Sequence, residues 1–297
     1  MQQTKAPSPL RSTGALEKGM TMIKESMLSM WHTTRSLFSQ RTALAIFAGL
    51  YVLLLAALYG FIAIREATVW QVLLTLLFVA LIPFIFFLLQ AVIINHARAG
   101  RIDWAQALRD STKFALVALP VIFLGLGIMW LLNRWQRHFP SPQFHLPTYG
   151  PDGKPVRATP PLHWPTILFA ASRALIFGVF LPLVLIHLWL AVAGQSLVAF
   201  GRHVHLKRAG QIVARGFAPG SVLIYTVGLI FFGLIPYELL FVHATIPGTK
   251  REFTIFTVRI VLVALFILLG WIITLATFSR TNQMLAVEPE PVAEEIS

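Results

Sequence analysis

The chain has 297 residues, 57% of them hydrophobic and only 12% charged, with a formal net charge of +12 and no cysteine. Soluble globular proteins carry about 25% charged residues, so this deficit excludes an ordinary soluble domain. The missing cysteines exclude disulfides, thiolate metal sites and cysteine nucleophiles, and they lean toward a bacterial source. Lys and Arg flank apolar runs, the placement that anionic headgroups and the positive-inside rule produce, so the positive balance points to a membrane surface and away from nucleic acid.

Residues 1–14 are polar, contain Pro7 and Pro9, and read as a disordered tail. Over 15–40, Leu16, Met20, Ile23, Met27, Met30 and Leu37 recur at spacings of three and four, with Trp31 and Phe38 beside them. That pattern is one apolar face of a helix. It predicts either a flat interfacial helix, with Lys18, Lys24, Trp31 and Arg35 among the headgroups, or a helix packed on the inner ends of a bundle. A coiled-coil dimer is a further way to cover such a face.

Six apolar runs follow, at about residues 43–64, 68–95, 114–134, 166–192, 219–242 and 254–279. Each is long enough to cross a hydrocarbon core of about 30 Å as a helix rising about 1.5 Å per residue. The expected fold class is therefore all-α: a polytopic bundle of six transmembrane helices over residues 41–280, with no room for a separate soluble catalytic domain. The first run starts too deep for a cleaved signal peptide and reads as an uncleaved anchor.

Two basic stretches should lie on the inner surface as interfacial elbows. One, from Gly100 to Lys113, contains Arg109, and Asp103 is placed to cap a short helix. The other runs from Arg202 to Gly216 and contains Lys207 and Arg208. The loop 135–165 holds eight prolines and reads as stiff and extended, and the tail 281–297 is acidic and reads as disordered. With the N-terminus inside, most of the 24 basic residues fall on the cytoplasmic side, so both termini are expected in the cytoplasm, with the chain in a bacterial inner membrane. Pro83 and Pro120 are separated by the same interval as Pro182 and Pro219, which suggests a parallel internal repeat.

Few residues offer chemistry. Counting about 1.5 Å per residue, Glu238 lies roughly 6 Å, Arg259 roughly 8 Å and Arg173 roughly 10 Å inside their helices from one side. A charge near mid-helix costs about 2.5–3.5 kcal/mol on insertion scales, which predicts a paired Arg173–Glu238–Arg259 cluster, arginines snorkelling to headgroups, or an anion site. Beside Arg173, the small residues Ala170, Ala174 and Gly178 read as a packing face. His187 and Gln90 are candidates for a polar relay, with a plain interhelical hydrogen bond as the alternative for His187.

No catalytic residue, metal site or cofactor motif is expected: there is no Walker A loop, His-Glu-x-x-His, Gly-x-Ser-x-Gly or Rossmann glycine pattern. The sequence points to a non-enzymatic membrane component that binds lipid or a partner. The expected partners are the bilayer and its anionic headgroups, with a membrane-protein partner or a second copy also open. The alternative is a small transporter or channel for an anionic solute or lipid headgroup.

Overall fold

The computed structural model describes residues 13–64, 68–139, 163–196, 206–241 and 249–287. All regular structure among the described residues is helical: α1 (Thr13–Ser39), α2 (Arg41–Ala63), α3 (Val69–Ala99), α4 (Trp104–Gln136), α5 (Trp164–Val192), α6 (Leu206–Gly216), α7 (Pro219–Phe241) and α8 (Thr249–Val287). Six of them, α2 to α5, α7 and α8, are long and apolar enough to cross a membrane. The acidic tail beyond Val287, the first twelve residues and nearly all of the proline-rich loop lie outside the described residues.

Local chemistry sets the helix boundaries. Thr68 opens α3 with a capping box: its side chain accepts from Gln71 N, and the Gln71 side chain accepts from Thr68 N. Gly100, at φ 68°, ends the helix, a left-handed position that side chains disfavour. Asp103 caps α4 as expected, its Oδ1 accepting from Gln106 N at 3.0 Å. The stretch that reads as a first elbow is otherwise different. It forms the opening turns of α4 itself, because Ala107, Asp110, Ser111, Phe114 and Ala118 continue a single buried face. The second elbow does contain a separate short helix, α6.

Two transmembrane helices widen locally. In α5 the segment Ile176–Phe180 is π-helical, and in α7 so is Ile230–Leu234. Each ends two residues before a proline, Pro182 and Pro236. A proline donates no hydrogen bond and its ring crowds the carbonyl four residues back. Those carbonyls belong to Gly178 and Phe232, inside the two widened segments, where the extra residue relieves the crowding. Pro83 and Pro120 sit within α-helical backbone.

The chain forms two compact units, Met1–Val117 with Ile186–Ser297, and Ala118–Leu185. The second is the hairpin made by most of α4 and the first part of α5. There Gly125 faces Leu181 and Phe177, and the rings of Phe139 and Phe169 meet at 6.1 Å.

The first unit holds the larger core. Every residue of α3 from Leu88 to Ala97 is buried, so this half of α3 is enclosed on all sides. Trp189 of α5 is buried beside it, stacked on Phe114 at 5.7 Å and edge-on to Phe86 and Phe87. Outward positions such as Val52, Leu73, Leu77, Phe253 and Phe256 are large, apolar and exposed, the pattern of a surface solvated by lipid.

Close approach in this unit occurs between α7 and α8. A Cβ on Gly228 would overlap Thr274 Oγ1, and one on Gly270 would stand 2.9 Å from the backbone nitrogen of Phe232. Small residues allow such contact where lipid offers no hydrophobic drive for association. Gly270→Ala should lower stability by about 1–3 kcal/mol, because rigid backbone must move. Gly49→Ala, where nothing lies within 4 Å, should be close to neutral. Thermal unfolding of both variants in detergent checks this.

Candidate functional site

Most of the buried polar groups of the first unit gather at one end of its helices. Here α2, α4 and α7 begin and α3, α5 and α8 end, as their mutual contacts show. Arg41, Arg98, Arg101, Arg109, Lys113, Arg215 and Arg280 all belong to this basic pole.

The pole is organised around the end of α5. The last carbonyls of a helix have no partner within it, and in a low-dielectric setting each needs one. Gly194, at φ 78°, turns the chain away. Arg98 of α3 donates through Nη2 to Leu190 O at 2.7 Å and through Nη1 to Ala193 O at 2.8 Å. Lys113 of α4 donates to Gln195 O at 2.6 Å. Both cations meet the negative end of the helix dipole.

Their charge is balanced by Asp110, whose side chain is fully buried. Lys113 Nζ lies 2.8 Å from Asp110 Oδ1. With the Asn95 amide turned to suit its neighbours, Nδ2 donates to Asp110 Oδ2 at 3.2 Å and Oδ1 accepts from Ala107 N at 3.3 Å. Asp110, Arg98 and Asn95 were not singled out from sequence as a set. The available signal is an acid three residues before a lysine on the face that carries Ala107, Phe114 and Ala118.

Helix α1 lies across this pole. Ser26 rests against Gly220 at the start of α7, Ser29 meets Thr281 of α8 at 3.5 Å, and Ser36 accepts from Arg280 Nη2 at 2.9 Å. At the junction with α2, Gln40 Oε1 accepts from His96 Nε2 at 2.5 Å, and the His96 ring stands edge-on to Phe47. Met30, Thr33 and Leu37 are buried against the bundle, whereas Met20, Ile23, Met27, Trp31 and Phe38 are exposed. The single apolar face read from the sequence is thus two faces, one packed and one bare.

The other expected residues fall as follows. Lys24, Trp31, Arg35 and Arg109 are exposed at the pole. Lys113, expected among the headgroup-facing cations, is instead turned inward onto Asp110 and Gln195 O, with 16% of its side chain exposed. The side chains of Lys18, Lys207 and Arg208, and all of Arg202, lie outside the described residues. Gln90 is buried and accepts from Trp271 Nε1 at 2.6 Å, a partner that does not pass protons on. His187 is buried, 3.4 Å from Ser221 Oγ and edge-on to Phe278. The Ser221 hydroxyl donates to Arg215 O, so it receives from the imidazole.

Arg173 belongs to the second unit, and Glu238 and Arg259 to the first. Glu238 is exposed and Arg259 half-buried. Arg173 donates through Nη2 to Asn133 Oδ1 at 2.8 Å and to Gln136 Oε1, both on α4. Ala170 and Ala174 are exposed, so the small-residue stripe beside Arg173 is bare within its hairpin. Among the described residues no three His, Asp or Glu side chains converge in a way that could hold a metal ion.

Six membrane-length apolar helices define a multi-pass α-helical membrane protein. Compared with known proteins, the chain matches no family model, no curated protein and no solved structure.

Removing Asp110 would leave Lys113 facing a buried void, and breaking a buried pair costs roughly 3–5 kcal/mol. Asp110→Ala should therefore lower the unfolding temperature in detergent strongly, and Asp110→Asn, which keeps an acceptor, by less. Equal melting of wild type and Asp110→Ala would show that the carboxylate does not hold the pole together.

Proposed function

We propose that this chain is a non-enzymatic component of a bacterial cytoplasmic membrane that binds anionic lipid headgroups with α1 and the surrounding basic pole, both termini facing the cytoplasm. The observation that carries this reading is the bare face of α1. Met20, Ile23, Met27 and Trp31 follow one another at helical spacing and are exposed, Met20 at 70% and Trp31 at 65%. The exposed cations Lys24 and Arg35 flank them. A Met- and Trp-rich stripe is costly in water and favourable at the boundary between headgroups and acyl chains.

Charge adds selectivity. Each Lys or Arg near an anionic surface contributes about 1 kcal/mol, so Lys24 and Arg35 together favour anionic over neutral lipid by roughly 30-fold. Arg101 and Arg109 are exposed at the same pole and extend the positive surface. The inward cations Arg98 and Lys113 are committed to backbone carbonyls and Asp110, and they take no part.

Two measurements test the reading. Because the chain lacks cysteine, single substitutions report topology without background. A cysteine at Arg101 should react with an impermeant maleimide only after cells are opened, and one at His138, after the far end of α4, should react in intact cells. The reverse pattern would invert the orientation. In lipid nanodiscs, oxidation of Met20 and Met27 should be several-fold slower with phosphatidylglycerol than with phosphatidylcholine, and Lys24→Gln with Arg35→Gln should erase that difference. Equal oxidation in both lipids would sink the headgroup assignment.

A further inference from the structure

We infer that the hairpin of α4 and α5 carries a second, separate binding site, for the phosphodiester of an anionic phospholipid, built from Arg134, Arg137 and Arg173. The site is a product of folding, because Arg173 is remote in sequence from the other two. Its guanidinium is bound to Asn133 and Gln136, the residues that immediately precede Arg134 and Arg137. With a rise of about 1.5 Å per residue, this brings three guanidinium-bearing positions within about one turn at the end of α4.

Within the described residues of this unit no acidic side chain balances that charge. Both Arg173 acceptors are neutral amides. No carboxylate occurs among the described residues of this unit, and over the whole of 118–185 the sole acid is Asp152, which lies outside them. The carbonyls at the end of α4 offer the equivalent of at most roughly half a negative charge, too little to offset three cations. Arg173 Nε is in addition buried with no acceptor, so the donors exceed what the chain supplies. Arginine forks match phosphate oxygens in pairs.

The surroundings select a lipid as the source of that phosphate. Trp130, Trp135 and Trp164 are exposed at 62%, 55% and 66% around the same end of the hairpin. Exposed tryptophans of this kind gather at the headgroup level of membrane proteins. Arg134 lies over the Trp130 ring at 5.8 Å, which holds one cation at that level. An oxyanion bound here would sit at the depth of a lipid phosphate, with its acyl chains running along the apolar flank of the hairpin.

Arg134 and Arg137 are exposed, so Arg134→Gln with Arg137→Gln tests the site without disturbing the Arg173 contacts. Native mass spectrometry of the full chain, purified with phosphatidylglycerol or with phosphatidylcholine, counts retained lipid. The wild type should keep phosphatidylglycerol at least tenfold better than phosphatidylcholine, and the double variant should lose about one such lipid. The same loss should appear in the Lys24→Gln, Arg35→Gln background, which separates this site from α1. Equal retention of phosphatidylglycerol by wild type and double variant would overturn the proposal, as would equal retention of the two lipids. Inorganic phosphate alone should leave the melting temperature unchanged. A stabilisation matching that by phosphatidylglycerol would refute the lipid assignment in favour of a soluble anion.

Discussion

The end of α5 imposes the constraint on which the basic pole rests. A helix that stops among packed side chains exposes carbonyls that neither water nor the next turn can satisfy. The chain answers with Arg98 from α3 and Lys113 from α4, and these bring positive charge into a region that penalises it. Asp110 and Asn95 complete the arrangement by holding Lys113 and one another. The result ties three helices at a single level. A slip of one residue in any of them would separate a cation from its carbonyl or the carboxylate from its lysine.

Between α7 and α8, contact depends on shape. Gly228 and Gly270 let α7 and α8 approach until side chain and backbone touch, and Gly270 meets the part of α7 where the helix is widened ahead of Pro236. The proline creates the widening and the glycine accommodates it, so two residues that each weaken an isolated helix cooperate here.

The spans were legible in the sequence because unbroken apolar length is a direct consequence of bilayer thickness. The interior of the pole was not. Counting Lys and Arg for orientation treats every cation between spans as a flank, and the count alone does not show that Lys113 points in while Arg109 points out. The first elbow is hidden in the sequence for a related reason. A polar stretch beside an apolar run resembles a surface segment until the periodic burial of Ala107, Asp110 and Phe114 shows that it belongs to the helix. Depth along a helix located Arg173 but not its partners, since Asn133 and Gln136 are ordinary residues near a helix end until the hairpin closes.

The docking of α1 also depends on the far end of the chain. This helix precedes the six spans along the chain, yet most of its contacts are with α7 and α8. Ser29 and Ser36 find Thr281 and Arg280 across separations of 252 and 244 residues. The seat of α1 is therefore complete only when both of these later helices are present. Its full docking depends on the final span, as a latch depends on its catch.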